Sequence, residues 1–140
     1  MKKLFAGFLA LLMIISFCAC TKKGDTDSSD PWAQAVVTED TECGKGEKTI
    51  TVKVIVNENS VVYTVKTDSD TLGEALLDNG IADGDQGEYG LYIKVVDGIT
   101  ADYDVKGAYW SLTKGGVMLN NGADLQKIAD GEEYELTYTK

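Results

Sequence analysis

From Thr49 the chain alternates: in TITVKVIVN, Ile50, Val52, Val54 and Val56 fall on one side and Thr51 and Lys53 on the other, the period-two pattern of a half-buried strand. Asn57 to Ser60 supplies turn chemistry and VVYTVKT returns, so this stretch predicts a hairpin. The period then changes. In SDTLGEALLDNG, Thr71 and Glu74 stand at capping-box spacing, and Leu72, Ala75 and Leu76 share a helical face. Gly80 lies where a left-handed C-terminal residue belongs. Beyond an acidic loop from Asp83 to Glu88, EYGLYIKVVDG predicts a third strand. Leu91, Ile93 and Val95 face one way along it and Tyr92, Lys94 and Val96 the other, so both faces are partly covered, as in a central strand. AYWSLTK predicts a fourth strand, and EEYELTYT, introduced by the turn at Asp130-Gly131, a fifth. The order β-β-α-β-β-β predicts an α+β fold, a β-grasp-like mixed sheet with one short crossing helix. The alternation of Tyr134, Leu136 and Tyr138 with Thr137 and Thr139 leaves the last strand a candidate for a sheet edge, open to strand addition by a partner.

The first twenty residues follow a different rule. Lys2 and Lys3 form a basic start and Leu4 to Phe17 is an almost uninterrupted apolar run, too short for a comfortable transmembrane helix. Ala19 is small and stands just before Cys20. These residues resemble a bacterial lipoprotein signal, in which a peptidase cuts before a cysteine whose thiol carries diacylglycerol and whose amine often carries an acyl chain. Phe17 and Cys18 depart from the usual residues before that cysteine, and Phe17 argues against Cys18 as the modified residue. The resemblance implies lipidation at Cys20, a membrane anchor through the N-terminal lipid, and an extracytoplasmic domain; two or more chains anchor far more firmly than one. The expected organisation is therefore a signal peptide over 1–19, a lipidated cysteine and flexible acidic, polar tether over 20–48, and a folded domain over 49–140. Such a tether spans on the order of 30 Å root-mean-square. Trp32 within it reads as a solvent-exposed aromatic, with a docked strand as the alternative.

Composition narrows the chemistry. The formal charge of −10, and about −12 once Lys2 and Lys3 leave with the signal, repels nucleic acid. The chain has no histidine, which removes the Ser-His-Asp and Cys-His devices and the commonest zinc and copper ligand. No enzyme activity, catalytic residue or metal site is expected. Cys43 is the one thiol left apart from the lipidated one, so no intrachain disulfide framework forms. The run Asp83-Gly84-Asp85-Gln86-Gly87-Glu88 has alternating carboxylates but lacks the later ligands of a calcium loop. Asp102 and Asp104 flank Tyr103 with nothing to mark them as an acid-base pair.

Taken in order, TITVKVIV, TLGEALLDNG, EYGLYIKVVDGI, AYWSLTKGGVMLNNGADLQ and DGEEYELTY resemble the C-terminal β-domain of transcobalamin and intrinsic factor, together with bacterial domains of unknown function of the same family. The resemblance covers roughly residues 49–140. In the vertebrate carriers this domain closes over one face of cobalamin while a helical barrel holds the rest; this chain has no such barrel. The resemblance implies a ligand-facing segment at Tyr89, Gly90, Leu91 and Tyr92, with Tyr109 and Trp110 on a neighbouring strand. Tyr and Trp offer flat apolar surfaces with polar tips, and Gly90 allows close backbone approach. The function implied is capture of a cobalamin-like or other small planar ligand, with a membrane transporter or surface protein as partner. The alternative is a protein-docking or adhesion module with no small ligand.

Overall fold

The computed structural model describes residues 30–88 and 90–140. Two antiparallel strands, β2 (Lys48–Val56) and β3 (Asn59–Thr67), form the expected hairpin, with Val52 opposite Tyr63 and Val54 opposite Val61. Asn57 takes a positive φ of 53° in the connection, a conformation asparagine tolerates better than most residues. The inward residues Ile50, Val52, Val54, Val56, Val61 and Val65 are fully buried. They form the floor of the core.

Helix α1 (Leu72–Asp78) closes that floor. Thr71 caps it by accepting a hydrogen bond from the Glu74 N–H at 3.3 Å, and Leu72, Ala75 and Leu76 are fully buried. Gly80 follows with φ 66°, as the spacing predicted.

The remaining strands depart from the sequence expectation in number and place. The stretch from Asp83 to Glu88, expected as an acidic loop, falls mostly in strand β4 (Ala82–Gly87), antiparallel to β5 (Gly90–Val96). DGDQG carries no apolar alternation, so only backbone pairing defines it. The ladder slips at Asp83/Gly84, and a Cβ on Gly84 would lie 1.9 Å from the Tyr92 carbonyl oxygen, so glycine is what lets the bulged strand close on its partner. With the two-residue strand β6 (Ile99–Thr100), these make a separate three-stranded sheet with β5 at its centre. A second short helix, α2 (Tyr103–Lys106), precedes β7 (Tyr109–Lys114) and β8 (Val117–Met118).

The last strand, β9 (Glu133–Thr139), lies inside the larger sheet and not at its edge. It runs parallel to β2 on one side and antiparallel to β7 on the other. Period-two alternation fixes which face a strand buries and says nothing about its neighbours, which is why the sequence could not seat it. The six-stranded order is β1-β3-β2-β9-β7-β8, where β1 (Thr41–Lys45) is a parallel edge strand on β3. Sheets and helices together give the expected α+β fold.

Of the polar stretch assigned to a tether over 20–48, residues 30–48 are folded. Beyond β1, a 3₁₀ turn at Pro31–Gln34 is capped by Asp30, and Trp32, Ala35, Val37 and Cys43 pack against the core. Trp32 is half-buried against the core within that turn, so it is neither a solvent-exposed aromatic nor part of a docked strand. The polar composition misled because this segment is fastened largely through its backbone. Val36 N–H donates to the Asp97 carbonyl at 3.0 Å and Val37 N–H to Asp97 Oδ1 at 2.8 Å. The signal segment, Cys20 and the first part of the tether lie outside the described residues, as does Tyr89.

Candidate ligand groove

A glycine-rich meeting of two segments forms an open groove. The turn joining β4 to β5 supplies Gln86, Gly87, Glu88 and Gly90, and the loop after β8 supplies Asn120, Asn121, Gly122, Asp124 and Leu125. Between them lies a groove of about 590 Å³, within the range of small-molecule sites.

Each wall has a local cause. On the loop side, Leu72 N–H donates to the Gln126 carbonyl and Gly73 N–H to the Ala123 carbonyl, both at 2.8 Å, so the first turn of α1 spends its free donors on this loop. A Cβ on Gly73 would lie 2.8 Å from the Asp124 backbone, so helix and loop touch only because position 73 has no side chain. On the strand side, Leu91 N–H donates to Asp124 Oδ1 at 3.0 Å and ties the walls together. Gly90 has φ 103°, and a Cβ there would fall 2.4 Å from that same oxygen. The groove floor is thus bare backbone beneath a carboxylate, with Leu125, 60% exposed, beside it.

Of the residues singled out from sequence, Gly90 lines this groove. Leu91 is buried in the core, its N–H serving the clasp to Asp124. Tyr92 points the other way and is 41% exposed, with Lys94 Nζ 5.8 Å from its ring centroid and paired to Asp85 at 2.6 Å. Trp110 is buried edge-on against Tyr138, with centroids 5.6 Å apart. Tyr109 lies on the opposite face of β7, so Tyr92, Tyr109 and Trp110 do not converge on one surface. The Asn120 to Leu125 wall was not legible because two Asn, a Gly and a lone Asp make no catalytic or metal-binding pattern. The available signal was Gly122 together with the quoted NNGADLQ run.

Other candidate groups have structural roles. Asp102 caps α2 by accepting from the Asp104 N–H at 3.0 Å. Asp83 accepts from its neighbour Gly84 N–H at 2.8 Å. Among the described residues no three His, Cys, Asp or Glu side chains are grouped to hold a metal. No helix among them is long and apolar enough to cross a membrane. Burial, then the nearby Glu42 carboxylate, raises the Cys43 thiol above its ordinary value, which makes it a poor nucleophile.

Comparison with known proteins agrees with this architecture. A search of curated proteins found no match. Among solved structures, the chain is similar to a candidate metal binding protein from Ruminococcus gnavus, with 44% identity and a TM-score of 0.63 over 67% of this chain and 98% of that one. It is also similar in fold to haptocorrin, solved in complex with Cbi, with 21% identity and a TM-score of 0.55 over 66% of this chain and 25% of that one. The family model described as a domain of unknown function, DUF4430, matches residues 69–140. That span holds α1, both groove walls and β9, and the chain belongs to the DUF4430 family.

Proposed function

We propose that this protein is a lipid-anchored, extracytoplasmic, non-catalytic binding domain that captures a small flat ligand in the groove between the β4–β5 turn and the Asn120–Leu125 loop. The observation that carries the reading is the groove itself, about 590 Å³ and walled by glycine backbone, carboxamides and an exposed leucine. Small-ligand sites combine apolar surface with a few placed polar groups, supplied here by Leu125 and by the carboxamides of Gln86, Asn120 and Asn121. A cobalamin-like tetrapyrrole is the concrete ligand class, supported by the fold shared with haptocorrin in its complex with Cbi. The absence of histidine supports binding over catalysis. The apolar run ending at Cys20 supports a lipid anchor, which would present the captured ligand to a membrane transporter or surface protein.

The test is titration of the full chain in detergent micelles with cobinamide, cobalamin and haem, followed by calorimetry and native mass spectrometry. A one-to-one adduct lost in Leu125→Asp, with the circular dichroism spectrum unchanged, supports the reading. No adduct with any of the three overturns it. The anchor is tested separately by the mass of the membrane-extracted protein: a diacylglycerol increment absent from Cys20→Ala is expected, and an unmodified Cys20 contradicts it.

A second reading, docking to a protein, has its best support at β8. Val117 and Met118 are 68% and 57% exposed on that edge strand. Cross-linking to a surface partner that is lost in Val117→Lys but kept in Leu125→Asp would favour it.

A further inference from the structure

The charges around the groove name the kind of ligand it takes, an inference that rests on the ligand-binding reading above. Its two charged lining residues, Glu88 and Asp124, are both acidic. Gln86, Asn120 and Asn121 add carboxamides, Leu125 adds apolar surface, and among the described residues none that lines the groove is Lys or Arg. Lys94, on the same hairpin, is held by Asp85 at 2.6 Å. A carboxylate or phosphate entering the groove therefore meets two like charges on a chain of formal charge −10, with no lining cation among the described residues to offset them. A ligand amide meets the opposite situation: its N–H groups face carboxylate and carboxamide oxygens, and its C=O faces the Asn and Gln N–H donors.

We infer that the groove selects uncharged or cationic flat ligands bearing carboxamide or hydroxyl groups and rejects carboxylate-bearing ligands of the same shape. Asp124 contributes twice. One carboxylate oxygen accepts the Leu91 N–H at 3.0 Å and so joins the walls, while the carboxylate as a whole sits against Gly90 and sets the sign of the local field. The two contributions are separable. Asparagine at position 124 retains an oxygen to accept that N–H and loses only the charge.

The experiment uses two porphyrins that differ only in carrying carboxamide or carboxylate side chains, titrated against the full chain in detergent at low and at high salt. The amide form is expected to bind at least tenfold tighter at low salt, with the ratio shrinking as salt screens the exposed charges. In Glu88→Gln/Asp124→Asn the ratio should fall to about threefold or less, chiefly through tighter binding of the acid form. Glu88→Gln alone, at an exposed position, should show about half of that effect on the logarithmic scale and serves if the double variant does not fold. Equal binding of the two porphyrins, or a ratio unchanged in the charge-neutralised variants, overturns this inference and leaves the groove a binding site. Binding of neither form to any variant overturns both.

Discussion

The Tyr63 hydroxyl donates a hydrogen bond to Asp97 Oδ1 at 2.6 Å, joining β3 to the β5–β6 turn across 34 positions. The same oxygen accepts the Val37 N–H, and the Asp97 carbonyl accepts the Val36 N–H. Asp97 is 2% exposed, has φ 51°, and donates its own N–H to the Ile81 carbonyl at 2.8 Å. One turn residue thus binds both sheets and the N-terminal segment, and its buried position makes each missing partner costly.

Tyr63→Phe removes one of the two donors to Asp97 Oδ1 without changing the ring that fills the core. Unfolding free energy should fall by about 1–2 kcal/mol. In hydrogen exchange, the Val36 and Val37 amides should lose more protection than the β2–β9 ladder. Uniform loss across both sheets would contradict a local clasp.

Stability should fall at both pH extremes for identifiable reasons. Burial, followed by hydrogen bonding to Asp97 and Glu132 respectively, raises the Tyr63 and Tyr134 hydroxyls above their ordinary value. A folded-state pKa above the unfolded one gives stability that is fully present below the unfolded tyrosine value, near 10, and is lost as the pH rises beyond it. Denaturant midpoints should therefore drop above about pH 10, less steeply in Tyr63→Phe and Tyr134→Phe. On the acid side, burial alone would raise the Glu132 carboxyl, but hydrogen bonds from Lys114, Tyr134 and the Ala129 N–H hold it below its ordinary value. That contribution is present above the unfolded carboxyl value and disappears as pH falls through the lower folded one. Glu132→Gln should flatten this acid limb.

Leu136 tests the position of β9. It is fully buried and pairs with Val54 on one side and Leu112 on the other. Leu136→Ala should cost about 2–5 kcal/mol in urea unfolding, while Thr137→Ala on the outer face should cost under about 1 kcal/mol. Similar small losses for both would mean that β9 is a peripheral strand.

Physical reasons separate what was legible in the sequence from what was not. The β2–β3 hairpin and α1 were legible because each carries two agreeing signals: periodic apolar residues and the correct turn or cap at Asn57, Thr71 and Gly80. Strand β4 was not, since Asp83, Gly84, Asp85 and Gly87 are turn residues held extended by pairing with β5. Strand β1 was hidden for the same reason: Thr41–Lys45 contains a glycine and two charges, and its parallel partner β3 follows later in the chain. Of the groove, the resemblance reached Gly90 but directed attention to aromatic side chains. Trp110 belongs to the core, and the groove's opposite wall is made of amides and backbone that no chemical motif marks.

Gly90 connects fold and groove. Gly90→Ala places a methyl group 2.4 Å from Asp124 Oδ1 at a φ of 103°. The substitution should lower stability by about 1–3 kcal/mol and weaken ligand binding at least tenfold, because the carboxylate must move off the Leu91 N–H. Unfolding curves and calorimetry read the two effects separately. Wild-type binding in this variant would show that the ligand does not contact the groove floor.

The most direct measurement is amide chemical-shift mapping of the isotope-labelled full chain in detergent micelles during a cobinamide titration. Binding in the groove predicts saturable shifts at Gly87, Gly90, Asn120, Asn121, Gly122 and Leu125, with Thr64 and Thr137 on the outer face of the large sheet unmoved. Shifts confined to that outer face, or no shifts at saturating cobinamide, would contradict it.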